Sequence, residues 1–246
     1  MAVVEGFVIA ERDVVGVRAD GDTAEVRTVI DASRGCERLE QHVIRFSPGR
    51  SAEQGGGRRQ EVLFVVSGRG VLHLGAAEHV LEPWTGVFVA PGESYAVDAA
   101  EDLTIVSVTA PESELGVGDN RRVTVRYDDQ PVLPASPNRE FRYLVNQDAG
   151  CLDVTQFVGI IPPGKAPEHS HTYDEVVYIL EGNGVYHIAG EDFSLGPGTC
   201  LHLPPYVRHC IENTGSTDMK VLGVFHPSGD PASRAFEGKL DHKEGE

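Results

Sequence analysis

Four side chains in the second half of the sequence stand at spacings that suit a divalent metal. His169 and His171 are two apart, Glu175 follows four residues later, and His209 lies further on after a Leu-Pro-Pro-Tyr-Val-Arg run. In an extended strand, residues two apart project from one face, so both imidazoles and the carboxylate are in phase. A closed barrel can bring the strand that opens at His209 beside the first. Three imidazoles and one carboxylate are a mixed nitrogen and oxygen donor set for a borderline divalent ion, with positions left for exchangeable waters. Such a centre can act as a Lewis acid, activate water, or hold substrate and dioxygen together.

The elements that must position these residues are visible as an internal repeat. The segment over residues 61–95 overlays residues 175–209 without a gap. Glu61 falls on Glu175, Gly68 and Gly70 on Gly182 and Gly184, His73 on His187, and Pro83 and Pro91 on Pro197 and Pro205. Each half reads strand, loop, strand, Gly-x-Gly turn, strand, Pro-Gly turn, strand. Strands at such even spacing predict a closed barrel or jelly roll, a shape that removes exposed sheet edges. We therefore expect an all-β chain of two fused barrels. Residues 1–115 make the N-terminal barrel, 116–140 a Pro-, Gly- and charge-rich linker carrying one more strand, and 141–246 the C-terminal barrel. A short C-terminal helix is expected from Asp230-Pro231, where Asp caps and Pro suits the first helical position.

The composition narrows the partners. A formal charge of −17 over 246 residues repels a phosphate backbone, and no Lys/Arg cluster sits among aromatics. Nucleic acid and anionic membrane are excluded as expected partners. The N-terminus lacks a basic start followed by an apolar stretch, and no apolar run approaches spanning length, so a cytoplasmic address is expected. Cys36, Cys151, Cys200 and Cys210 form no CxxC pair and read as buried small residues.

The motif residues resemble the cupin superfamily, whose first motif runs Gly, a short gap, His-x-His, three residues, Glu, six residues, Gly. Gly164, His169, His171, Glu175 and Gly182 fit it, with Gly164 one residue closer to the first His than usual. The second motif is matched by Gly198, Pro204, His209 and Asn213, with Tyr206 where the family has Gly. The resemblance implies that His169, His171, Glu175 and His209 are the protein ligands of one divalent transition metal: manganese, iron, nickel or zinc. In the first half, Gly55 and Gly57 replace both histidines of the motif and Tyr95 replaces His209. Only Glu61 remains, and one carboxylate does not hold such an ion against water. The N-terminal barrel is read as metal-free and structural.

Around the site, Val177 and Ile179 share the phase of Glu175 and should form an apolar wall, while Tyr178 and Tyr186 should face the other way. His187 has a counterpart, His73, in the metal-free half and reads as structural. His202 replaces Phe88 of the first half and is the candidate catalytic or proton-transfer residue. Lys165 and Arg208 flank ligands and could attract an anionic substrate.

By resemblance, the function expected first is a dioxygenase-type oxidoreductase acting on a small enol, diketone or phenol. Alternatives are a metal-dependent isomerase, a decarboxylase, or a hydrolase similar to the ureidoglycine aminohydrolases. That last family orders its ligands Glu, His, His and Gln, which counts against it. A non-catalytic small-molecule-binding cupin is the reading from a different class, and a homodimer is the expected assembly.

Overall fold

The computed structural model describes residues 6–136 and 138–233. Among these there is no α-helix; four three-residue 3-10 turns interrupt a chain of β-strands. The helix expected from Asp230-Pro231 does not start there: residues 230–233 are not helical, and the rest of its expected span lies outside the described residues. What is described there is a turn in which Asp230 Oδ1 accepts the Ala232 N–H at 2.8 Å.

The two halves repeat one topology. Each has a seven-stranded sheet and a smaller one of five or four strands. In the second half the large sheet runs, in spatial order, through Phe7–Ala10, Thr199–Leu203, Asp174–Glu181, Met219–His226, Thr155–Ile161, Arg139–Val145 and Leu133–Ser136. In the first half the order is Thr124–Arg126, Thr85–Val89, Gln60–Ser67, Leu103–Ala110, Glu40–Phe46, Ala24–Ile30 and Val17–Arg18. Edge strands are thus exchanged. The N-terminal strand closes the second half's sheet, with Phe7 opposite His202, and Thr124–Arg126 closes the first half's sheet.

The central strands Gln60–Ser67 and Asp174–Glu181 read as almost continuous apolar runs because both of their faces are covered. One face fills its own barrel: Val177 and Ile179 join Leu201, Leu203 and Ile211 in the C-terminal core. The other face packs large sheet on large sheet, where Val62, Phe64, Val106 and Val108 meet Val176, Tyr178, Leu222 and Val224. Truncating a fully buried Phe64 in that layer to alanine costs about 3–5 kcal/mol. The sheet that carries Glu175 on one face is therefore braced from behind by the other barrel.

Candidate metal centre

Each imidazole is set by backbone pairing. His169 and His209 exchange both backbone hydrogen bonds, N to O at 3.0 and 2.9 Å, so their side chains stand side by side. The His171 carbonyl accepts the Tyr206 N–H at 2.7 Å. The regular strand begins only at Asp174, so His169-x-His171 is an extended loop tied to the 204–209 turn rather than the strand expected from sequence. Tyr206 holds a left-handed conformation at φ 64, as does its repeat partner Gly92 at φ 81. The turn geometry is conserved between halves at the expense of strain in a non-glycine residue.

The three rings form a nearly equilateral triangle, with centroids 4.8, 4.8 and 4.9 Å apart, and their ligand atoms all lie within 4.8 Å of one another. Each Nδ1 faces a backbone carbonyl: Pro167 for His169 at 3.1 Å, Ser233 for His171 at 3.4 Å, and Val207 for His209 at 2.9 Å. A carbonyl only accepts, so these contacts place the proton on Nδ1 and the lone pair on Nε2. The Nε2 of His209 is buried with no hydrogen-bond partner. Burial, and then His169, push this imidazole down to about 4, so it is neutral and able to ligate at pH 7.

Glu175 stands beside the trio rather than inside it, its Oε2 3.4 Å from His171 Nε2. It is buried, and desolvation alone raises its carboxyl to about 8. Gly223, across the ladder, leaves it room; a Cβ there would come 3.0 Å from Glu175 Oε1. A buried carboxyl lacking a compensating charge and an orphaned imidazole nitrogen are the features that a divalent cation resolves. The donor set fits such an ion, and His169, His171 and His209, with Glu175 swinging toward them, would hold it.

The first half shows the same frame without this chemistry. Glu61 accepts the Tyr95 hydroxyl at 3.1 Å and the Ser107 hydroxyl, and Ser107 stands where Gly223 does in the repeat. Hydroxyl donors fill the position that the imidazoles occupy in the second barrel.

A cavity of about 100 Å³ opens on the imidazoles, walled by Phe141, Phe157, Ile161, Val177, Leu203, Ile211 and Val221. Arg139 and Glu140 also line it, and the Arg139 guanidinium donates to the Ile211 carbonyl at 3.0 Å. Tyr173 stacks between His171, 4.6 Å away, and Phe225, 4.0 Å away, which fixes the His171 ring. Sequence reasoning missed both Arg139 and Tyr173. The alternation of Arg139 with Phe141 on one strand face was the available signal for the first.

Of the expected flanking residues, Val177 and Ile179 do face the barrel interior and Tyr178 faces the other barrel. Tyr186 does not face outward: it is fully buried in the barrel core, its ring 6.0 Å from His209. His202 is not brought to the cavity. Its neighbour Leu203 lines the cavity opposite Glu175, and adjacent strand residues point to opposite faces, so His202 faces the inter-barrel layer and pairs with Asp174 at 2.7 Å. Arg208 forms an ion pair with Glu168 at 3.3 Å, and the cation on the cavity wall is Arg139, not Arg208 or Lys165. His187 is held by Asp192 and Glu212 at the surface, in line with a structural role. All four cysteines are free and buried.

Two stacked jelly-roll barrels, one with converging imidazoles on its inner wall, define a double-barrel β protein with a candidate metal centre. Residues 157–225, within the second barrel, match the family model described as a cupin domain. Part of it is 40% identical over 62 residues to acireductone dioxygenase of Bacillus pumilus, covering 23% of this chain and 34% of that protein. Another match is 39% identical over 67 residues to an oxalate-binding protein of Thermotoga maritima, covering 26% of this chain and 55% of that protein. The chain thus spans about a fifth to just over half of the length of the curated relatives it matches. Among solved structures, protein Ylba from E. coli superposes with a TM-score of 0.76 at 14% identity, covering 92% of both chains. No helix among the described residues is long and apolar enough to cross a membrane.

Proposed function

We propose that the C-terminal barrel is a metal-dependent enzyme that oxygenates a small, oxygen-rich molecule of the enol, diketone or phenol type. The observation that carries this reading is the lining: apolar side chains surround the imidazoles, and outside the four candidate ligands its ionisable groups are Arg139, Glu140 and Tyr173. An isomerase, decarboxylase or hydrolase needs a positioned proton carrier besides the ligands. Tyr173 is occupied in the stack between His171 and Phe225, burial raises its hydroxyl far above the ordinary range, and Glu140 is exposed to solvent.

When bound by His169, His171, Glu175 and His209, a redox-active divalent ion would supply Lewis acidity and a route for electrons from substrate to dioxygen. The chain's own residues do the rest. Phe141, Phe157, Val177 and Val221 exclude water from a reactive intermediate. Arg139 offers its positive charge to an anionic substrate oxygen. The match to acireductone dioxygenase agrees with this reading.

A second reading, a non-catalytic carboxylate-binding cupin, is favoured by the same Arg139 and by the match to an oxalate-binding protein. Oxygen uptake by iron- or nickel-loaded protein against a panel of enols and diketones separates the two. Uptake that disappears in His209→Ala supports the oxygenase. Oxalate binding by calorimetry with no uptake on any member of the panel replaces it with the binding protein.

A further inference from the structure

Outside the imidazole centre, a second group of metal-type side chains converges among the described residues. The ligand atoms of Cys36, Asp174 and His202 all lie within 4.8 Å of one another. Cys36 follows the 3-10 turn Ala32–Arg34 of the first half, whereas Asp174 and His202 lie on adjacent strands of the second half's large sheet. The group therefore straddles the packed faces of the two barrels.

The internal repeat supplies a control. A matching turn, Gln147–Ala149, leads through Gly150 to Cys151, whose thiol meets Gln60 Oε1 at 3.6 Å in the other barrel. Gln60 occupies the repeat position of Asp174, and Phe88 that of His202. Cys151, Gln60 and Phe88 make an ordinary packing contact. In the counterpart, the amide is a carboxylate and the phenyl is an imidazole. Burial is the same, 1% exposure for both Phe88 and His202, so packing gives no reason for the change. Burying an ionisable pair costs more than burying apolar groups of like size unless something compensates.

The polar atoms point to a ligand. His202 Nε2 lies 2.7 Å from Asp174 Oδ1, while its Nδ1 is buried with no partner. His226, directly across the ladder from Asp174, brings another Nδ1 buried without a partner. Burial and the Asp174 charge push the free thiol up to about 12, so without a cation to displace its proton Cys36 is no nucleophile.

We propose that Cys36, Asp174 and His202 form a second, structural metal site that takes a zinc-type ion and clamps the two barrels together, with His226 or water in the fourth position. Zinc bonds of about 2.0–2.3 Å set tetrahedral ligand atoms roughly 3.3–3.8 Å apart, so contacts at the 4.8 Å limit close by about 1.0–1.5 Å while the 2.7 Å Asp174–His202 contact opens. The thiol proton leaves to solvent as the ion binds. This site is independent of the reaction assigned to the imidazole centre.

The test uses cobalt, because a thiolate ligand adds a sulfur-to-cobalt charge-transfer band in the near ultraviolet that the imidazole centre cannot produce. The chain carrying His169→Ala and His209→Ala is expressed in cobalt-supplemented medium, so that metal is present while the barrels dock. About one cobalt per chain with the sulfur band is expected. Cys36→Ala, and separately His202→Phe, added to that chain abolish both; His202→Phe copies the Phe88 solution that the first barrel already packs. In the otherwise unsubstituted chain, the same band should be present and should vanish with Cys36→Ala, so the result does not depend on the double variant folding. Absence of the sulfur band from the folded unsubstituted chain, or its persistence in Cys36→Ala, overturns the proposal.

Discussion

Glu175 makes the stability of the metal-free chain depend on pH in a window that few other groups share. Its carboxyl titrates near 4.5 when exposed and at about 8 in the fold. A raised carboxyl means that the folded chain binds more protons than the unfolded one between those values, so stability falls as pH rises through them. His209, lowered from 6.5 to about 4, works in the opposite sense and adds stability as pH rises to 6.5. Above pH 6.5 His209 is neutral in both states and no longer opposes the Glu175 contribution. From pH 6.5 to 9, one proton with a folded value of about 8 removes about 2 kcal/mol. Urea unfolding of chelator-treated protein at both pH values, compared with Glu175→Gln, isolates the effect, because any other buried carboxyl contributes equally to both chains. The parent should lose about 2 kcal/mol more than the variant, and saturating divalent metal should erase the difference. Equal losses in the metal-free chains would refute the claim that Glu175 is buried without a compensating charge.

Tyr206→Gly should raise stability by about 1 kcal/mol, since it relieves a left-handed non-glycine residue that is 71% exposed and little used in packing. Thermal unfolding should show a midpoint higher by about 2–4 °C. Glu61→Gln should leave metal content unchanged and flatten the fall in stability with rising pH above the ordinary carboxylate range, because burial also raises the Glu61 carboxyl. Metal analysis and denaturation at two pH values check both parts.

The repeat made the architecture legible because glycines and prolines at turn positions mark strand ends, and both halves keep them in one register. The exchange of edge strands was not legible, since Phe7–Ala10 carries no signal of which barrel it joins and its pairing with Thr199–Leu203 spans most of the chain. The imidazole trio was readable from the spacing of His169, His171 and His209. His202 was misplaced because its strand, Thr199–Leu203, is covered on both faces, whereas Tyr186 lies on the alternating strand Gly184–Ile188 and shares its buried phase. In a strand covered on both faces, apolar character no longer tells the inside of the barrel from the inter-barrel layer. Pairing does tell them apart: His202 stands opposite Val176 and Leu203 opposite Glu175. The Cys36 cluster depends on a loop of one barrel meeting the sheet of the other, which no local spacing encodes.

The measurement that bears most directly on the central claim is elemental analysis of untagged protein, comparing the native chain with His169→Ala, His209→Ala and Glu61→Gln. Loss of about one transition-metal ion per chain in each histidine variant, with none lost in Glu61→Gln, is the expected result. Equal metal content in all four chains, or none in the native chain, would contradict a metal centre in the C-terminal barrel.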